Sequence, residues 1–281
     1  MSHPGSRALA LSIVLVAVAR PGVAADSPAS PRKVLVELYT SQGCNSCPPA
    51  SDLLGRLGGL GYGPERVVVL NFHVDYFNVP WADPHSDAAY SRRQLSYNDV
   101  QGRNDLYFTP LMMVDGRYPL LGSDRAKVVA ALGRARKEPP AVALDLALSG
   151  EGDRKSLTVR VAARSADVAG RELLVGVAVT EDPVTTKVPS GENAGRTLVE
   201  HHVVRRFDQR FTRVDRTGAE TLAFPVELPP GGDPAHLRVT AFVQDRRDGR
   251  VHQADSVPWA PAKVPGPGAT RARDPGRSIA H

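Results

Sequence analysis

Val34-Leu35-Val36-Glu37-Leu38-Tyr39-Thr40-Ser41-Gln42-Gly43-Cys44-Asn45-Ser46-Cys47-Pro48-Pro49-Ala50 passes from a nearly unbroken apolar run, through a short polar turn, to a cysteine pair and two prolines. An apolar run such as Val34 to Tyr39 is what a strand buried on both faces requires. Downstream, Ala50, Leu53, Leu54 and Leu57 recur at helical spacing and make one core-facing stripe. Pro48 and Pro49 place the start of that helix, because proline is tolerated where the backbone N–H has no helical partner. Ser46 or Cys47 is its expected cap. Cys44 and Cys47, the only cysteines of the chain, thus stand at a strand-to-helix turn, where the field of the helix N-terminus favours thiolate.

Three chemistries suit such a pair. As a structural staple, its small ring removes roughly 2 kcal/mol of unfolded-chain freedom, against ~4.7 for a loop of about 100 residues. As a zinc site it supplies two thiolates of a closed set of four, with no second cysteine pair to complete it. As a redox centre it needs nothing further, and this is the favoured reading.

The ends of the chain read as processing and tail segments. Arg7, the apolar stretch Ala8 to Ala19 and the small residues Val23-Ala24-Ala25 predict an export signal over residues 1–25. The stretch is too short to span a bilayer, and no later segment approaches the ~20 apolar residues of a transmembrane helix. A periplasmic or secreted location follows, where a disulfide persists. The formal net charge is +5, and its location excludes a nucleic-acid partner. Arg7 and Arg20 in the leader, with Lys263, Arg271, Arg273 and Arg277 against Asp274 in the tail, carry the whole excess, so residues 26–259 are balanced. From Ala260 onward the Pro, Gly and Arg content predicts a disordered tail, 260–281.

The pattern changes at Lys137-Glu138-Pro139-Pro140. Before it, the apolar runs Val34 to Tyr39 and Val67 to Val74 alternate with helical patterns. Asp83-Pro84 predicts a second helix toward Asn98, Asp115-Gly116 a hairpin, and Ser123 the cap of a last helix to about Arg136. Strand, helix, strand, helix, hairpin, helix is the order of a thioredoxin fold, assigned to residues 26–138. After the break, Val142, Leu144, Leu146 and Leu148 alternate, as do Leu157, Val159 and Val161. Further strands are expected near Glu172 to Thr180, Thr197 to Phe207, Thr221 to Leu228, Leu237 to Gln244 and Arg250 to Val257. Residues 141–259 therefore read as an antiparallel β-sandwich. The predicted fold class is an α/β thioredoxin-like domain followed by an all-β sandwich domain.

Several other residues are candidates for chemistry. Thr109-Pro110 begins the hairpin strand that a thioredoxin fold sets opposite its cysteine pair, where a cis proline accepts extended substrate. Glu37 lies mid-strand, seven residues before Cys44. Either its pKa is raised by burial, so that it shuttles a proton to or from Cys47, or it occupies a half-exposed edge position or is a carboxylate paired with an arginine. His73 and Asp75 end the second strand; His73 either tunes a thiolate, binds a metal, or is a hydrogen-bonded structural histidine. Tyr76, Phe77 and Trp81 form an aromatic concentration, read as a substrate-facing wall or as cover for the following helix. His201-His202, adjacent in an expected strand, would point to opposite faces and share no ion.

The opening segment through Ala50 resembles a family of exported bacterial proteins catalogued as domain of unknown function family 1223. Phe72-His73-Val74-Asp75-Tyr76, Tyr107-Phe108-Thr109-Pro110 and Gly191-Glu192-Asn193-Ala194-Gly195-Arg196-Thr197-Leu198 carry the resemblance further along the chain. The family is similar to thioredoxins in its first domain, and the resemblance implies no established reaction. Val36-Glu37-Leu38-Tyr39 also resembles the active-site strand of disulfide isomerases, with the spacing to Cys44 one residue longer. Gly43 stands where thioredoxins usually carry tryptophan. The Gly191 block reads as a loop facing the first domain.

The leading expectation is an exported thiol-disulfide oxidoreductase acting on a protein or small thiol. Cys44 is the nucleophile, Cys47 the resolving thiol and Glu37 the proton acceptor, with Thr109, Pro110 and Trp81 on the substrate side. No cofactor and no resident metal are expected. The alternatives are a binding or assembly module with a persistent disulfide, and a soft-metal, for example copper, carrier using Cys44, Cys47 and His73.

Overall fold

A computed structural model describes residues 31–260; the expected leader and the expected tail beyond residue 260 lie outside the described residues. Strand β1 (Val34–Thr40) leads to helix α1 (Pro48–Arg56), followed by β2 (Val67–His73), α2 (Ala88–Gln101), the hairpin β3 (Leu111–Val114) and β4 (Tyr118–Leu121), and α3 (Arg125–Ala135). After Pro139-Pro140 come β5 (Val142–Ser149), β6 (Arg154–Ala163), β7 (Glu172–Glu181), β8 (Val184–Lys187) and β9 (Thr197–Glu200). The last strands are β10 (Val203–Arg213), β11 (Ala219–Glu227), β12 (Leu237–Asp245) and β13 (Val251–Pro258).

Local signals account for most of these elements. Cys47 is the N-cap of α1 and proline fills its first two positions. Asp115 and Gly116 turn the β3–β4 hairpin with φ of 59° and 68°, the pair of positive angles a type I′ turn needs. Two helix starts differ from expectation. Asp87, whose side chain accepts the Ala89 N–H, caps α2 in place of Asp83, and Asp124 caps α3 one residue after Ser123. Asp83 is drawn elsewhere, into the buried cluster described below.

The expected fold class is corrected by the sheet order. One mixed sheet runs β13-β12-β7-β10-β2-β1-β3-β4, so strands from both sides of Pro139-Pro140 share it, and the α/β domain followed by a separate sandwich does not form. The described residues are mostly strand, 42% against 16% helix. The junction is a parallel pairing of β10 with β2 at Val203 and Asn71, reinforced by the Asn71 N–H donating to His202 O at 2.9 Å. The physical reason lies in β2 itself. All seven of its residues are buried, and a strand buried on both faces also needs neighbours along both edges; β1 supplies one and the second half of the chain supplies the other.

Arg32 fastens the same seam from the other end of β1. Its guanidinium donates to Asp115, to Ala135 O and to Val251 O. Three apolar cores result. Val36 and Leu38 face Ala50, Leu53 and Leu54 of α1 together with α3. Leu35 and Tyr39 face Tyr90 and Tyr97 of α2 with Phe242 of β12. A three-stranded sheet, β11-β6-β5, packs Leu157, Val159 and Phe224 on Val175, Val177 and Val239 of the long sheet. Among the described residues no helix is long and apolar enough to cross a membrane.

Candidate functional site

The turn after β1 carries the cysteine pair. Cys44 and Cys47 form a disulfide with Cα atoms 5.5 Å apart. The Cys44 N–H donates to Ser41 O and the Cys47 N–H to Cys44 O, each at 3.2 Å, and Ser46 Oγ lies 3.3 Å from Cys44 Sγ. The helix offers the sulfurs few donors. Its first two residues are prolines, which have no N–H, and the Ala50 and Ser51 N–H groups turn back to Cys47 O at 2.9 and 3.3 Å. Both cysteines are buried, 2% and 1% exposed.

The loop between β8 and β9, residues 188–196, is bonded to this turn. The side-chain amide of Asn193, itself fully buried, donates to Gln42 O and to Cys44 O, both at 2.9 Å. Arg196 Nη1 donates to Asn193 Oδ1 at 2.7 Å and so fixes which way that amide points. Next to it, the Glu192 carboxylate accepts the Asn45 N–H at 2.9 Å. The other side of the turn is closed by backbone. A Cβ on Gly43 would stand 2.8 Å from Phe77 O, which is why this position holds glycine.

Behind the turn lies a buried polar cluster. Asp83 Oδ2 accepts the Gln42 N–H at 2.8 Å and lies 2.7 Å from His73 Nδ1. Gln42 Nε2 donates to Glu200 Oε2 at 2.7 Å, and Trp81 Nε1 donates to Gln42 Oε1 at 3.2 Å. His73 Nε2 lies 3.5 Å from Glu200 Oε1, an ionic contact without hydrogen-bond geometry, so this buried nitrogen has no hydrogen-bond partner. Burial opposes the imidazolium, but the Asp83 and Glu200 carboxylates outweigh it and hold His73 up at about 9. Burial pushes Glu200 up. For Asp83, burial is overcome by His73 and by backbone donors, which hold its carboxyl down.

Glu37 lies on the other face of the sheet from α1, with Leu35 and Tyr39. Its carboxylate is fully engaged: Oε1 accepts from Arg93 Nε at 2.6 Å and from the Tyr39 hydroxyl at 3.1 Å, and Oε2 accepts from the Tyr97 hydroxyl. Of the arrangements considered for Glu37, this is the arginine-paired one. Thr109-Pro110 is a cis peptide. Pro110 meets Leu38 and the first turn of α1 around Gly122, where an added Cβ would stand 2.9 Å from Leu38, 3.0 Å from Ala50 and 3.3 Å from Pro110. Trp81 is tied to Gln42, two residues before Cys44. Tyr76 instead covers α2, its hydroxyl donating to Gln94 at 3.1 Å and its ring 4.3 Å from that of Tyr107.

His201 and His202 are not in a strand. They form a bend between β9 and β10, with His202 at φ 54°, and both rings reach Asp182, at 2.7 and 3.3 Å. The expected single strand is broken there, so the two side chains share one side. Among the described residues no three His, Cys, Asp or Glu side chains converge as a metal site. Gln42, Asn193 and Glu200 were not singled out from the sequence as site residues, and Asp83 was read only as a helix start. Asn193 had a signal, since its block carries part of the family resemblance.

The profile of the family described as Protein of unknown function (DUF1223) matches residues 35–244. The chain belongs to this family. The match spans both the cysteine turn and the loop bonded to it. Two solved structures are similar in fold. A crystal structure of a protein from Agrobacterium tumefaciens is 21% identical, with a TM-score of 0.63 over 83% of this chain and 97% of that one. HBP35 of Porphyromonas gingivalis is 15% identical, with a TM-score of 0.61 over 88% of this chain and 82% of that one. At these identities the likeness concerns the fold alone. No curated protein matches the chain.

Proposed function

We propose that this family member is an exported thiol-disulfide oxidoreductase whose working couple is Cys44 and Cys47. The observation that carries the reading is a disulfide between residues three apart, in the turn between a buried strand and the first turn of a helix. So small a ring contributes little as a staple, and thiolate attack is the chemistry that a Cys-x-x-Cys ring serves.

In the proposed exchange a client thiolate attacks Cys44 Sγ. The Sγ–Sγ bond breaks and Cys47 leaves as thiolate. A second client thiol, losing its proton to solvent, then attacks the client sulfur of the mixed disulfide and releases Cys44. The client dithiol is oxidised by two electrons and the protein is reduced; a disulfide oxidant of the compartment restores the resting state. Thr109 and Pro110, joined by a cis peptide, and Trp81, bonded to Gln42, are proposed on the client side. Glu37, committed to Arg93 and two tyrosines, is assigned to the core rather than to proton transfer.

The burial of both sulfurs favours a second reading, an assembly module with a persistent disulfide. A Cys47→Ala variant expressed in the native compartment separates the two. Discrete mixed disulfides on Cys44 are the expected result. No adducts on the variant, together with a disulfide in the unsubstituted protein that resists millimolar dithiol, would establish the second reading instead.

A further inference from the structure

The burial that favours a persistent disulfide is of an unusual kind. The turn that carries the buried sulfurs is bonded from outside by one polar loop, residues 188–196. Within residues 188–196 only Val188 and Asn193 are buried. Glu192, Ala194, Gly195 and Arg196 are exposed. The loop is attached to the cysteine turn through the two Asn193 bonds and the one Glu192 bond. Its further holds are Ser190 Oγ on Pro80 O at 3.4 Å, Gly191 set against Trp81, and the fully buried Val188 at its base. Each of these polar bonds exchanges for one with water when the loop lifts, so its net contribution is modest. Gly191 and Gly195, at φ 83° and 79°, stand at the two bends of the loop tip.

We propose that loop 188–196 is a removable cover that gates the disulfide, with Asn193 positioning the Cys44 turn and Glu192 opposing reduction. The proposal rests on the redox reading for its physiological meaning. Asn193 pins the carbonyls of Gln42 and Cys44, and so holds the backbone on both sides of Gly43. Glu192 occupies the Asn45 N–H, a donor beside Cys44 in a turn whose helix contributes few. A thiolate formed at Cys44 would have to compete with this carboxylate for the same N–H and against its charge. With the loop closed, the disulfide is shielded and its reduced form disfavoured. With the loop lifted, by a client that engages its exposed tip, sulfur and donor are freed together.

The test uses the full chain and dithiothreitol as the attacking dithiol. Its thiolate opens the Cys44–Cys47 bond, and its second thiol closes the oxidised ring and releases Cys44. Asn193→Asp keeps the shape of the side chain and its contact with Arg196 but removes both donors, and should speed reduction about tenfold or more. Glu192→Gln should speed it roughly twofold to fivefold, because an exposed charge is partly screened. It should also move the redox equilibrium with a glutathione buffer toward the dithiol, a readout that a purely structural role would leave unmoved. Urea unfolding of the oxidised proteins monitors the fold; if Asn193→Asp unfolds, Glu192→Gln alone decides, since its side chain is exposed. Reduction within twofold of the parent in every folded variant, with an unmoved equilibrium, overturns the cover. Were clients trapped on Cys44 under that outcome, the redox reading would stand without it. Faster reduction with no captured client would keep the cover and remove the redox reading.

Discussion

Two buried polar clusters lie on opposite faces of strands β1 and β2, and they differ in how completely they are satisfied. Around Glu37, Arg93 donates to the carboxylate, Tyr97 and Tyr39 close its remaining acceptor sites, and Gln244 bonds Tyr97 at 3.1 Å. The Arg93 guanidinium also lies near Phe242 and Phe207, 4.7 and 5.3 Å from their ring centroids. Around His73, two carboxylates share one imidazole, one ring nitrogen lacks a hydrogen bond, and the cluster reaches the Gln42 turn that carries Cys44. A closed network of the first kind fixes structure. The second retains charge imbalance and is wired to the turn, so it belongs to the site although both clusters are equally deep.

This contrast is broken most severely at Glu37. Glu37→Ala strands the Arg93 cation in the core and should cost about 3–5 kcal/mol, read from urea unfolding of the oxidised protein. The disulfide's rate of reduction in the folded fraction should stay unchanged, since Glu37 faces away from α1. A change in that rate without a loss of stability would reverse the assignment and return Glu37 to the redox site.

The His73 cluster is sharpened by pH. Its folded-state pKa of about 9 lies above the ordinary 6.5, so its contribution to stability is full below pH 6.5 and is lost as pH rises through about 9. Unfolding midpoints measured from pH 6 to 9.5 should therefore fall, and Asp83→Asn should flatten the fall by removing the nearest carboxylate. A flat profile in the parent protein would mean that His73 is neutral.

The smallest expected effect concerns the cover. Gly191→Ala forces a side chain into positive φ, costing about 1 kcal/mol. The strain raises the closed state against both the lifted and the unfolded states, so the unfolding free energy should fall by about 1 kcal/mol while reduction by dithiol quickens about fivefold. An unchanged reduction rate would indicate that the loop stays closed during exchange.

Much of this was legible in the chain itself. The cysteine turn, the start of α1, the Asp115-Gly116 hairpin and most strands after residue 141 follow from proline geometry, positive-φ turn chemistry and period-two alternation, all properties of neighbours in sequence. The places where reading failed are those where a distant partner outbid a local one. Asp83 has the form of a helix cap, yet it bonds Gln42 and His73. The Thr197 to Phe207 strand breaks at His201-His202, where Asp182 draws both rings.

The sequence alone thus determined which segments are strands and helices and where the two cysteines meet, because those depend on backbone preferences acting over a few residues. Only the tertiary structure decided that the two halves share one sheet, because β2 completes its second edge with any strand of suitable register, and local periodicity does not encode which one. The same holds for the loop bonded to the cysteine turn: Asn193 stands 149 residues from Cys44, and nothing but the folded chain brings its amide to that carbonyl.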